Sequence, residues 1–245
     1  MTHDAVIIGG GPGGASTAIG LARAGRRVAL IERAAFPRRK VCGEFISSAS
    51  RPVLDALGVA ESWDAAAGPE IRRLALFMGE RVVTAPMPAS GGPGRGLGRD
   101  VLDGLLLDQA RRCGVEVFQP CRATGFDRVG AGHAVALDTP QGDRTLAAPV
   151  LVAAHGSWDR GPLLTQATKS HAPHDLLGFK AHFLNSGLDA ELMPLLSFPG
   201  GYGGMVRVDG GRVSISCCIR RDALQGLRQP GQAAGDALET HLARS

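Results

Sequence analysis

The sequence predicts an α/β protein in which a parallel βαβ unit is interleaved with antiparallel β-sheet. Three observations carry that expectation. An apolar strand, a glycine cluster, an alanine-rich helical pattern and a second apolar strand follow one another in AVIIGGGPGGASTAIGLARAGRRVALIER, close to the N-terminus. The later stretches IRRLALFMGERVVTAPMP and RVSISCCIRR read as strands bounded by glycine turns. Helical patterns stand between these strand groups, with no internal repeat and no low-complexity tail.

Taken in order, DAVII is a short buried-strand run of the kind a parallel sheet covers on both faces. Ala15, Ala18, Ile19 and Ala22 then recur at helical spacing, and Gly25 stops the helix. RVALIE is the next strand, joined to the first by a right-handed crossover. Residues 51–67 form a helical pattern broken by Gly68-Pro69, and the stretch around Gly79-Glu80 is an antiparallel hairpin. ASGGPGRGLG is a flexible loop. Leu102, Leu105, Leu106 and Ala110 share one face of a helix starting at Arg99, with Gly114 as its C-terminal cap. VEVFQP is a strand, and residues 126–151 form a meander turning at Gly130 and Gln141-Gly142 and ending in VLVAA. Beyond His155-Gly156, the stretches GFKAHFL, GGYGGMVRVDGG and RVSISCCIRR are strands, and about the last 25 residues are helix.

Length and composition bound the function. A chain of 245 residues can bury a sizeable core as one large domain or two interleaved ones. Its 27 basic and 23 acidic residues are spread along the sequence, which argues against the basic stripe of a nucleic-acid binder. No apolar run is long enough to span a bilayer, and MTHDAVIIGG has no basic leader or cleavage site. The five cysteines, Cys42, Cys113, Cys121, Cys217 and Cys218, lack metal-ligand spacing, and the seven histidines form no ligand pattern. A cytoplasmic protein with reduced thiols and no metal is the expectation.

The chemistry sits in the first turn. Gly9, Gly11 and Gly14 form G-x-G-x-x-G between a strand and a helix. Gly9 permits the turn, Gly11 admits a pyrophosphate, and Gly14 lets helix and strand pack closely. The helix N-terminus offers N–H groups and the positive end of a dipole to the anion. Pro12 and Gly13 lie within the same turn. Glu32 ends the second strand, where a carboxylate can accept from ribose hydroxyls and repel a 2′-phosphate. Arg33 beside it is placed either on the adenosine or in solvent. These features specify a dinucleotide and leave FAD and NAD open.

The continuation narrows the choice. RRKVCGEFIS, GRDVLDGLLLDQARRCGVEV, PVLVAAHGSWDR and FPGGYGGMV resemble segments of the FAD-dependent superfamily that includes para-hydroxybenzoate hydroxylase, geranylgeranyl reductases and flavin halogenases. The K-x-C-G-E segment is most similar to the geranylgeranyl reductase branch. The resemblance covers nearly the whole chain. It implies a Rossmann-like FAD-binding domain from residues 1–69 and 97–160, interleaved with an antiparallel substrate-binding sheet from residues 70–96 and 170–245. It further implies that Arg99 reaches the flavin phosphate or ribityl region and that Arg39, Cys42 and Gly43 lie beside the cofactor. Cys42 is then a wall of the flavin pocket, or else a buried structural thiol, Gly43 allows close backbone approach, and Glu44 is either a surface carboxylate or one that orients the loop.

Two departures from the pattern stand out. His155-Gly156 replaces the usual Asp-Gly after the third strand, removing a carboxylate but keeping a hydrogen-bonding side chain. The further Gly-Asp segment that helps hold the flavin in relatives has no counterpart before Ser245. Gly235-Asp236 lies in a helical run with no strand before it, so the last part of the FAD domain is expected to be missing from this chain.

The resemblance implies an FAD-dependent oxidoreductase, of monooxygenase or double-bond reductase type, acting on a small or lipid-like organic substrate. NAD(P)H is the candidate electron donor. No catalytic residue can be named, and Tyr202 is placed either on the pocket wall or in an exposed turn. The competing readings are a flavoprotein that binds nucleotide or a partner without turnover and, less favoured, a flavin halogenase. Trp63 and Trp158 do not form the tryptophan pair typical of halogenases.

Overall fold

A computed structural model describes residues 3–87, 92–156, 163, 165 and 170–244. The chain divides into two compact units. The first contains Met1–Arg39, Pro52–Asp64 and Arg99–Thr168; the second contains Lys40–Arg51, Ala65–Gly98 and Lys169–Ser245. The sequence reading kept residues 40–51 with the nucleotide domain, whereas here they pack in the second unit.

The chain begins with β1 (Ala5–Ile8), α1 (Pro12–Arg23) and β2 (Val28–Ile31), the expected βαβ unit. Next come β3 (Phe45–Ile46), α2 (Arg51–Leu57), α3 (Ala60–Ala66), β4 (Glu70–Ile71), β5 (Arg73–Met78), β6 (Arg81–Pro86) and β7 (Gly94–Gly96). They are followed by α4 (Arg99–Arg112), β8 (Glu116–Phe118), β9 (Arg122–Val129), β10 (Gly132–Thr139), β11 (Gly142–Ala148) and β12 (Val150–Ala153). The last elements are β13 (Leu176–Phe183), β14 (Leu192–Phe198), β15 (Gly201–Arg207), β16 (Val213–Arg220), α5 (Arg221–Leu227) and α6 (Ala234–Leu242).

The first unit is built on a parallel sheet of order β12-β1-β2-β8. Val6, Ile8, Ala29 and Ile31 pack with Val135, Leu137 and Leu146 of the antiparallel β9–β11 meander. Strand alternation turns the fully buried Ile7 and Leu30 to the opposite face. Helices α1 and α4 contact each other and the strands. Both end as their sequences predict: after α1, Gly25 N–H donates to Ala22 and Arg26 N–H to Leu21, and after α4, Gly114 and Val115 repeat the arrangement onto Arg111 and Ala110. Gly58 splits the predicted 51–67 helix into α2 and α3, because its φ of +71° ends α2 in the same way.

The second unit is built on a six-stranded sheet of order β13-β16-β15-β14-β5-β6, with β14 parallel to β5 and the other neighbours antiparallel. Phe198, Cys217 and Ile219 of one face pack with Leu224 of α5 and Leu238 of α6, so the predicted C-terminal helix is two helices. Strand β14 was not legible in the sequence because Pro194 interrupts LMPLLSF. A small sheet of order β3-β7-β4 completes the unit. Its β7 lies inside the glycine stretch expected to be loop. A Cβ on Gly94 would stand 2.3 Å from the Phe45 ring and one on Gly96 2.3 Å from the Arg207 carbonyl oxygen, so these glycines serve close packing. Residues 88–91, which include the first three of that stretch, and Trp158 lie outside the described residues.

Candidate functional site

The glycine turn of the first unit separates into positions that protein packing demands and positions it leaves open. Gly9 has φ +110°, and a Cβ there would lie 2.4 Å from the Ala154 carbonyl oxygen. A Cβ on Gly14 would lie 1.8 Å from the Gly9 carbonyl oxygen. No side chain fits at either position. By contrast, a Cβ on Gly13 would meet nothing within 4 Å, and one on Gly11 would meet only the Nη2 atoms of Arg38 at 3.4 Å and Arg99 at 3.8 Å. Pro12 opens α1, where its missing N–H costs nothing, and Gly11 is the N-cap. The open ground in front of the first turn of α1 is therefore flanked by two guanidinium groups.

Two buried carboxylates hold those guanidiniums. Asp103 of α4, fully buried, grips Arg99 through both oxygens, with Nε–Oδ1 at 2.7 Å and Nη2–Oδ2 at 3.0 Å. Arg38 Nη2 stands 3.3 Å from Asp103 Oδ2 and 3.4 Å from Glu32 Oε2, and its guanidinium lies over the Phe36 ring at 4.8 Å. The buried Nε of Arg38 has no hydrogen-bond partner among the described residues. Burial in a bidentate pair fixes the guanidinium plane of Arg99, as a surface arginine would not be fixed. Sequence reasoning missed Arg38 and Asp103. Arg38 adjoins two further basic residues, Arg39 and Lys40, and Asp103 lies within an amphipathic helical pattern.

Glu32 has hydrogen-bond partners within the protein itself. Its carboxylate is buried and accepts from backbone N–H groups of the protein itself, Gly10 onto Oε2 and Ala34 onto Oε1, both at 2.8 Å. It braces the glycine turn against the end of β2. Oε2 also accepts from Arg38 Nη2, while Oε1 keeps a second lone pair among the described contacts, so this bracing and the acceptance of a ribose hydroxyl at Oε1 are compatible.

The remaining predicted residues fall into two groups. His155 follows β12 directly beneath the turn, since a Cβ on Gly9 would lie 2.7 Å from its Cα. Its Nε2 is 2.6 Å from Thr165 Oγ1, and Gly156 next to it has φ +97°. Arg33 and Arg39 are exposed. Cys42 and Gly43 belong to the second unit. A Cβ on Gly43 would rest at an ordinary 3.6 Å from Ser216 Oγ, so protein packing does not demand glycine there. The left-handed residue of this segment is Glu44, at φ +58°, a conformation that costs a non-glycine residue roughly 1 kcal/mol.

Glu44 is the centre of a buried ionic network that the sequence did not reveal. Its Oε1 accepts from Lys180 Nζ, which also donates to the Lys40 carbonyl oxygen at 3.2 Å. Its Oε2 lies 2.6 Å from His182 Nε2. His182 Nδ1 is 3.4 Å from Arg212 Nη1, Arg212 pairs with Asp209, and Asp209 Oδ1 accepts from Gly98 N–H at 2.8 Å. These partners give His182 a proton on Nε2 and a bare Nδ1. Tyr202 stands exposed on β15 in the same unit, and the neighbouring Cys218 pushes its phenol above the usual value.

The described residues contain no group of three or more His, Cys, Asp or Glu side chains that could hold a metal ion. None of their helices is long and apolar enough to cross a membrane.

Comparison with known proteins places this geometry. The family model described as FAD binding domain matches residues 2–174. A menaquinone reductase of Mycolicibacterium smegmatis is 24% identical over 254 residues, covering 98% of this chain and 59% of that protein. A flavoprotein/dehydrogenase from Cytophaga hutchinsonii superposes with a TM-score of 0.83 at 18% identity, over 99% of this chain and 61% of that one. The myxobacterial chondrochloren halogenase superposes with a TM-score of 0.80 at 23% identity, over 99% of this chain and 57% of that one. The chain thus spans somewhat under two thirds of the length of the proteins it matches. Its family is settled by the match across most of its length: the chain belongs to the FAD binding domain family.

Proposed function

We propose that the chain works as an FAD-dependent oxidoreductase on a small or lipid-like organic substrate, by oxygenation or by reduction of a double bond. The observation that carries this reading is the open face of Gly11 between Arg38 and Arg99. Packing leaves that face clear, two fixed guanidiniums flank it, and the N-terminus of α1 points its dipole there. In this reading the pyrophosphate of FAD occupies the open ground, and Arg38 Nε supplies a donor that has no partner among the described residues. Gly13 and Gly14 offer N–H groups, and Glu32 accepts from the ribose with the second lone pair of Oε1. His155 and Gly156 border the turn from the β12 side. Arg33 and Arg39 add positive charge at the rim.

When bound, FAD supplies the hydride and oxygen chemistry; the protein's part is to hold, orient and keep water out. A lipid-like substrate is favoured because a relative covering nearly the whole chain carries the name menaquinone reductase, and a quinone with an isoprenoid tail is largely apolar. NAD(P)H is proposed as the electron donor.

The test is uptake of FAD by the purified protein, followed by anaerobic titration with NADH and NADPH. Retained flavin absorbance that bleaches with either nicotinamide is expected. Gly11→Ala should fold normally, since its Cβ meets only the ends of flexible side chains, yet bind FAD about tenfold more weakly, a loss of about 1.4 kcal/mol. A protein that takes up no FAD, or a Gly11→Ala variant that binds it like the wild type, would overturn this reading. Bound flavin that no nicotinamide bleaches would remove the proposed donor.

A further inference from the structure

We propose that Lys180 and His182 are positioning residues for the 40–44 loop, holding Cys42 and Gly43 in one conformation through Glu44. The two side chains are two residues apart on β13 and so share a face of the six-stranded sheet. The loop crosses that face. A Cβ on Gly178 would lie 3.1 Å from Val41 Cγ1, and one on Gly43 would lie 3.6 Å from Ser216 Oγ of the neighbouring strand. Lys180 Nζ joins the two ends of the loop by binding the Lys40 carbonyl oxygen and the Glu44 carboxylate together. His182 takes the second Glu44 oxygen and is braced from behind by Arg212, Asp209 and the Gly98 N–H.

Two further features point the same way. Glu44 sits in left-handed backbone, which its own sequence disfavours, so the conformation is maintained from outside the loop. Lys180, His182 and Glu44 are almost wholly buried, at 6%, 7% and 0% side-chain exposure. Burying a carboxylate with an ammonium gains little net stability over an apolar pair, because desolvation offsets the attraction. What such a network does supply is one geometry. Glu44 N–H lies 3.5 Å from Cys42 Sγ, so a shift of Glu44 reaches the thiol directly.

The functional weight of this inference rests on the proposed FAD reading. The loop geometry can be tested without FAD. Iodoacetamide alkylation of the apoprotein, mapped by mass spectrometry, reads Cys42 and Cys113 side by side; both are partly exposed and free. Lys180→Met should speed alkylation of Cys42 by about tenfold through local opening while leaving Cys113 unchanged. Lys180→Arg, which keeps the charge, should restore most of the protection. Should Lys180→Met fail to fold with Glu44 short of a partner, Lys180→Met combined with Glu44→Gln removes both buried charges and should show the same acceleration.

A Cys42 rate within about twofold of wild type in a folded variant would overturn the proposal, because local opening would be absent. Acceleration of Cys42 and Cys113 together would overturn it as well, since that is general loosening. Absence of FAD uptake, by contrast, would sink the proposed function and leave the alkylation result standing.

Discussion

Replacing Glu32 by Gln tests whether this residue braces the glycine turn or serves only as a ligand for ribose. The change keeps size and shape. In the wild type each carboxylate oxygen accepts one backbone N–H at 2.8 Å, from Gly10 and from Ala34. An amide offers one acceptor and one donor, so in either orientation one backbone N–H faces an NH2 group. Leaving a buried donor unmet costs about 1–3 kcal/mol. Arg38 also loses the charge 3.4 Å away and keeps Asp103 at 3.3 Å, which adds roughly 1 kcal/mol at this level of burial. The sum is about 2–4 kcal/mol. For a chain of this size each kcal/mol shifts the midpoint by about 2–4 °C, so Tm should fall by roughly 4–16 °C. Thermal unfolding of the apoprotein by circular dichroism reads this directly. A variant with unchanged apoprotein Tm that binds FAD more weakly would refute the bracing role and make Glu32 a ligand group alone.

Other outcomes follow from the same geometry. Gly14→Ala should fail where Gly11→Ala succeeds: its Cβ would lie 1.8 Å from the Gly9 carbonyl oxygen, so α1 must move off β1, and soluble, cooperatively unfolding protein at wild-type levels would contradict the packing described. Burial pushes the Cys217 thiol up to about 11, so alkylation at pH 9 should modify the partly exposed Cys218 long before Cys217. Because this folded value lies above the ordinary 9.0, the stability gained by keeping the thiol neutral is present below pH 9 and lost as pH rises towards 11. A urea midpoint that rises over that interval, or equal labelling of the two cysteines, would count against it.

Much of the first unit was legible because its signals are local. The turn Gly9–Gly14, the helix behind it and the stop at Gly25 each depend on backbone geometry within a few residues. The bracing role of Glu32 was not legible, since one of its two N–H partners, Gly10, comes from the turn it faces. Arg38 was invisible as a site residue. Its neighbour Arg39 has the same chemistry and is exposed, and the contacts with Asp103 of α4 and with Glu32 at the end of β2 distinguish Arg38. The clamp on Glu44 joins residues 136 and 138 positions apart, a separation at which pattern carries no information. Strand β14 was hidden by its proline, and β7 by glycines that serve packing instead of flexibility.

The amino-acid sequence by itself determined the βαβ unit, its glycine turn and the two glycines, Gly9 and Gly14, that cannot be anything else. Those features follow from sterics and hydrogen bonding along a contiguous stretch of chain. Tertiary structure decided which charges are buried against which. It turned one of two adjacent arginines toward the glycine turn, gave Asp103 two cations to hold, and set a left-handed glutamate between a lysine and a histidine of a distant strand. Buried charge must be paired, and the partner is chosen by where the fold brings side chains out of water.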